Sequence, residues 1–146
     1  LIFAVLLTLF VAYPAYSVKY DKSNPTKMYS KAYKMIDKGQ YSKAQKILKN
    51  YTKSEPEDPD GWTLLAFTYR KLDKFAESEE YYLKALNLEP DNKSALEYQG
   101  ELFIETNRID LANANIKKLQ NLCPNSCEEL EKLQSYLLDQ SSKSNI

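Results

Sequence analysis

Residues 61–90 read GWTLLAFTYRKLDKFAESEEYYLKALNLEP. In the first half, Trp62, Leu65, Ala66 and Tyr69 recur at i, i+3, i+4 and i+7, the spacing that lines one stripe of an α-helix. Asp73 suits a left-handed residue that ends this helix. A second helix follows and stops before Pro90, since proline cannot continue the hydrogen-bond ladder and restricts the residue before it. Ala66 and Ser78 are small, so the two helices can approach closely while flanking aromatics fill the space beside them. The stretch therefore reads as a pair of antiparallel helices.

The same pattern returns on both sides with a period of 34. Prolines fall at 56, 90 and 124, and small residues at Ala32, Ala66 and Gly100, then at Ala44, Ser78 and Ala112. Turn-tolerant Gly39, Asp73 and Asn107 each stand two positions before Tyr41, Phe75 and Ile109. Large apolar residues recur at Met28, Trp62 and Leu96, at Met35, Tyr69 and Phe103, and at Leu48, Tyr82 and Ile116. Asp91 or Asn92 is placed to cap the helix that opens the third unit. One such pair cannot bury its apolar face alone, so three units and a cap are about the minimum that stacks stably.

This register resembles the tetratricopeptide repeat, and the middle unit matches it almost position for position. The first unit is the weakest match, with Lys31 where the second has Leu65. The resemblance implies an all-α fold, a right-handed α-solenoid of three helix pairs (25–58, 59–92, 93–126) closed by a C-terminal capping helix over 126–139. The polar stretch 140–146 carries no periodicity and is expected to be a disordered tail.

Residues 1–17, LIFAVLLTLFVAYPAYS, differ in composition from everything after them. An uncharged apolar run ends in Pro14 and the small-x-small triplet Ala15-Tyr16-Ser17, as a secretory signal peptide does. An uncleaved membrane anchor is the other reading, because a span needs about 20 apolar residues. Either places the rest of the chain outside the cytosol, and resemblance to small exported bacterial repeat proteins points to the periplasm.

Among 146 residues there are 20 basic, 20 acidic and no histidine. Balanced charge provides no overall field for nucleic acid or anionic membrane. Absent histidine removes the usual general base and the commonest metal ligand, and no nucleophile has a plausible base near it in sequence. The chain is read as a non-enzyme without cofactor.

In the tetratricopeptide family the first helices of successive units line a concave groove. Carried onto this sequence, the resemblance places Tyr29, Tyr33, Ile36 and Asp37 there from the first unit. Thr63, Phe67, Arg70 and Lys71 follow from the second, and Glu97, Glu101, Ile104 and Glu105 from the third. A protein or peptide partner held through Tyr29, Tyr33, Phe67, Arg70, Lys71, Glu97 and Glu101 is one reading. The other is structural, with Arg70 and Lys71 pairing with Glu97 or Glu101 on the neighbouring helix. The two-carboxylate clamp of chaperone cofactors is not expected, because Tyr29, Tyr33, Leu64, Ser94 and Tyr98 occupy its places. The acidic stripe Glu97, Glu101 and Glu105 on a straight helix does not converge as calcium ligands must.

The only two cysteines, Cys123 and Cys127, flank Pro124 at the joint between the last unit and the cap. In an exported chain such a pair most often forms one disulfide. A redox or copper(I) site and a pair of free thiols are the alternatives; zinc lacks ligands here.

Overall fold

The computed structural model describes residues 24–144. The proposed leader, 1–17, lies outside the described residues. Within them the chain forms α1 (Pro25–Asp37), α2 (Tyr41–Ser54), α3 (Pro59–Arg70), α4 (Phe75–Leu88), α5 (Lys93–Glu105), α6 (Ile109–Leu122) and α7 (Glu128–Ser144). Each helix packs on its partner in the unit and on the next helix along, so the array is a helical solenoid. Among the described residues, no helix is long and apolar enough to cross a membrane.

Local chemistry sets the helix boundaries. Asn24 caps α1 by accepting from the Thr26 N–H at 2.9 Å, and Asp58 caps α3 by accepting from Asp60 N–H at 3.0 Å. Pro25 and Pro59 follow these caps at the start of their helices, where no N–H is needed. Asn92, rather than Asp91, caps α5 through the Ala95 N–H at 2.9 Å.

The three turns inside the units are built alike. Gly39, Asp73 and Asn107 have φ of 67°, 58° and 58°. The next residue then donates back into the preceding helix: Gln40 to Met35 O at 2.8 Å, Lys74 to Tyr69 O at 3.0 Å and Arg108 to Phe103 O at 2.7 Å. Together with bonds from Gly39, Asp73 and Asn107 to Ile36, Arg70 and Ile104, this is the two-bond left-handed ending that satisfies orphan carbonyls.

Between helices, the small positions act as the spacing requires. Ala66 and Ser78 are fully buried, and the Ser78 hydroxyl donates to Ala66 O at 2.9 Å across the α3–α4 contact. Trp62 binds the second unit to the first, its indole N–H donating to Pro56 O at 2.8 Å while its ring stacks on Tyr81 at 5.7 Å. Leu86 touches both the core around Leu65 and Tyr69 and the core around Leu96 and Leu133, making the interior continuous along the array.

The C-terminal end departs from expectation. The cap begins at Glu128, after a turn in which Ser126 takes φ 78°, and runs to Ser144. Residues 140–144, expected to be tail, therefore continue the helix. Extending an existing helix adds a hydrogen bond without a new nucleation cost, and the Ser141 hydroxyl is satisfied by Leu137 O at 2.8 Å. Cys123 and Cys127 bracket the turn with 5.7 Å between their α-carbons, a separation that a disulfide can span.

Candidate functional site: the inner wall of the array

The positions expected to face inward recur every 34 residues on α1, α3 and α5, and Tyr136 of α7 reaches Glu105 among them. The three units fill these positions differently. At the first, Tyr29, Thr63 and Glu97 follow one another; at the second, Tyr33, Phe67 and Glu101. Tyr33 is 52% exposed, the most accessible aromatic side chain among the large exposed hydrophobics. Phe67 bridges units, with Tyr41 at 6.1 Å on one side and Tyr98 at 5.0 Å on the other. The Lys71 ammonium lies 5.6 Å from the Phe67 ring centre, and the Arg70 guanidinium 5.3 Å from it.

Arg70 is the residue whose placement differs most from a partner contact. It is 1% exposed and spans from α3 to α5, where one guanidinium nitrogen pairs with Glu101 and the other with Glu105 at 2.7 Å. The Tyr136 hydroxyl of α7 donates to the same Glu105 oxygen at 2.6 Å. Thus Arg70, Glu101 and Glu105 hold three helices together, and of the pairings expected with Glu97 or Glu101 only the second forms. Burial opposes the charge on Arg70, but Tyr82, Glu101 and Glu105 outweigh it and hold the group protonated. Burial also pushes the Glu101 carboxyl up, although Arg70 pulls it down.

Glu97 has no such arrangement. It is 3% exposed and makes no hydrogen bond or ion pair at contact distance among the described residues. Burial first, and then the nearby Glu101 charge, push its carboxyl up to about 8; Glu128 and Glu129 add to this and Lys132 opposes it. The Lys132 ammonium is held instead by Glu128 at 2.6 Å. A folded-state value above the unfolded one means that the native protein binds the extra proton, so this group's contribution to stability is full below about 4.5 and fades as pH rises toward about 8. Glu97→Gln removes that dependence. Its thermal midpoint is expected to match the parent near pH 5 and to exceed it at pH 8 by on the order of 1–3 kcal/mol equivalent, the usual cost of an unsatisfied buried polar group. Equal midpoints at both pH values would contradict this placement.

At the N-terminal end the wall opens into a pocket of about 620 Å³ lined by Tyr29, Tyr51, Glu55, Asp58 and Asp60 among others. Asp58 accepts from the Tyr51 hydroxyl at 2.5 Å, and Asp60 accepts from the Asn92 amide at 2.9 Å. Burial, with Asp60 and Asp58 nearby, pushes the Tyr29 phenol up to about 12. Tyr51 and Tyr136 were not legible as parts of this wall, whereas Tyr98 stands at one of the clamp places named above. Tyr98 is one position off the expected inner set, and Tyr136 belongs to a helix outside the repeat register.

The tetratricopeptide-repeat family profile matches residues 59–92, the unit whose helices carry Phe67, Arg70 and Lys71. The unit at 59–92 is thus a tetratricopeptide repeat. Among solved structures, the repeat array is similar to the Yersinia enterocolitica type III secretion translocator chaperone SycD in complex with a peptide of the translocator YopD. The identity is 16%, the TM-score 0.69, and the match covers 82% of this chain and 93% of that one. It is also similar to the first repeat domain of Spaghetti (RPAP3) bound to an HSP90 peptide, at 21% identity and TM-score 0.70, covering 86% and 97%. A third is the TPR2B domain of yeast Sti1 in its pHsp70 complex, at 17% identity and TM-score 0.69, covering 82% and 97%. No curated protein matches the sequence significantly. At these identities the likeness concerns the fold.

Proposed function

We propose that this repeat array is a non-enzymatic binding or assembly module whose concave face holds an extended peptide or protein segment. The observation that carries the reading is Tyr33, an aromatic side chain 52% exposed on an inner wall that also presents Tyr29, Phe67 and Tyr98. Aromatic side chains of this kind bury large area at low entropic cost. Support comes from three structural relatives solved with peptides, and from a family that serves chiefly as an interaction module. Lys71 remains an exposed contact candidate beside Phe67, whereas Arg70 acts by shaping the wall. Replacing Tyr29 and Tyr33 together with Ser is expected to abolish capture of the partner while the helical signal is unchanged; undiminished capture by the double variant would end this reading.

We further propose that the protein works in an exported compartment, the periplasm; the signal-like composition of residues 1–17 and the resemblance to small exported bacterial repeat proteins support this. In that compartment Cys123 and Cys127 form a disulfide that fixes the angle between α6 and α7. A loop this short constrains the unfolded chain by about 2 kcal/mol at most. The native protein is therefore expected to show no reactive thiol until reduced, and reduction to lower the thermal midpoint only modestly. Two reactive thiols before reductant would remove the disulfide.

A further inference from the structure

We infer that the segment held by the inner wall is cationic, with a lysine or arginine side chain of the occupant docking against Glu97 in the floor of the groove. The inference rests on the peptide-binding reading above and names what that site selects.

Every other carboxylate along the inner wall of α5 has a partner. Glu101 and Glu105 share Arg70, and Glu105 also takes the Tyr136 hydroxyl. Glu97 stands in the same register as Thr63, which is equally buried at 2% but satisfied, its hydroxyl donating to Pro59 O at 2.8 Å. An unpaired carboxyl on a residue only 3% exposed is costly to keep charged, and a ligand cation would complete it. Among the described residues no cation pairs with Glu97 at contact distance: Arg70 is taken by Glu101 and Glu105, Lys71 lies over Phe67, and Lys132, which acts on Glu97 from farther off, is paired with Glu128.

The opposite end of the wall has the same sign. Glu55, Asp58 and Asp60 line the pocket beside Tyr29, with no lysine or arginine lining it among the described residues. Asp58 and Asp60 accept from neutral donors, Tyr51 and Asn92, and have no ion-pair partner among the described residues. Between the two ends stand the aromatic rings of Tyr33, Phe67 and Tyr98. Such rings attract a cation over their faces and cover the aliphatic stem of a lysine or arginine. A bound ammonium or guanidinium also drives Glu97 to ionise, so docking releases a proton from a group held near 8 in the empty groove.

The test is selection of a random dodecapeptide library against the full chain and against Glu97→Gln in parallel, followed by calorimetry on the selected peptides. The expected result is several-fold enrichment of Lys and Arg in the wild-type pool, lost in the Glu97→Gln pool. Changing the selected cation to Met should weaken binding at least tenfold in wild type and little in the variant. Wild type should release protons at pH 7, seen as a buffer-dependent heat absent from Glu97→Gln. Peptides that bind both proteins alike, compete for Tyr33 and carry no cation would overturn the cationic inference and leave peptide binding standing. A pool with no binder would overturn both. A dimer of this chain that fills the groove and survives Glu97→Gln would overturn the inference as well.

Discussion

Arg70→Ala is expected to cost about 3–5 kcal/mol, the usual result of removing one partner from a buried ion pair. Arg70 is 1% exposed and has the largest fully buried side chain among the described residues. Its removal leaves Glu101 and Glu105 facing one another with only the Tyr136 hydroxyl between α5 and α7 to compensate. Against a typical domain stability of roughly 5–15 kcal/mol, such a loss threatens folding outright. Urea denaturation followed by helical circular dichroism measures it. A loss below about 1 kcal/mol would mean that the cluster behaves as a solvated surface pair. A second variant separates geometry from charge: Arg70→Lys keeps the charge but presents a single ammonium that cannot fork to two carboxylates, and is expected to recover only part of the loss. Because this cluster ties α3 to α5, partial recovery should also leave the groove's shape altered and partner capture weakened.

Leu133→Ala is the second large effect, about 2–5 kcal/mol for deleting a fully buried leucine and leaving a cavity. Leu133 of α7 rests on Gly100 of α5, where a β-carbon would come within 2.5 Å of the Leu133 methyl. This explains why the third unit has glycine where the first two have Ala32 and Ala66: the cap needs that space. Gly100→Ala alone gains about 1 kcal/mol of helix propensity but faces overpacking that typically costs about 1–3 kcal/mol, so a net destabilisation is expected. In the double variant Gly100→Ala/Leu133→Ala the new methyl enters the vacated volume, and the combined loss should be smaller than the sum of the singles. Strict additivity would show that the two side chains do not meet.

Periodic features were readable because their causes lie within one helix or turn. Ala66 and Ser78 were legible as a close-approach pair and are fully buried; Gly39, Asp73 and Asn107 were legible as left-handed endings, and all have positive φ. Pro56, Pro90 and Pro124 each lie just beyond the last turn of a second helix, as their chemistry requires. The end of the cap was not legible, since polar residues 140–144 carry no packing pattern and helix propagation alone carries them.

The inner wall shows where such reasoning stops. A period assigns Arg70, Glu97, Glu101 and Glu105 to one face, but it does not say how far each side chain reaches across to its neighbour. Three carboxylates compete for one guanidinium. Their positions along α5 relative to Arg70 on α3 decide that Glu101 and Glu105 receive it and that Glu97 does not. Tyr136 enters from a helix with no place in the repeat, so no spacing could reveal it.

By itself the sequence determined three helix pairs and a cap, because helix periodicity, turn chemistry and small contact positions are local and repeat. Only the tertiary structure decided which inner charges cancel, because compensation depends on distances between helices, and it is this that buries Arg70 while leaving Glu97 unpaired.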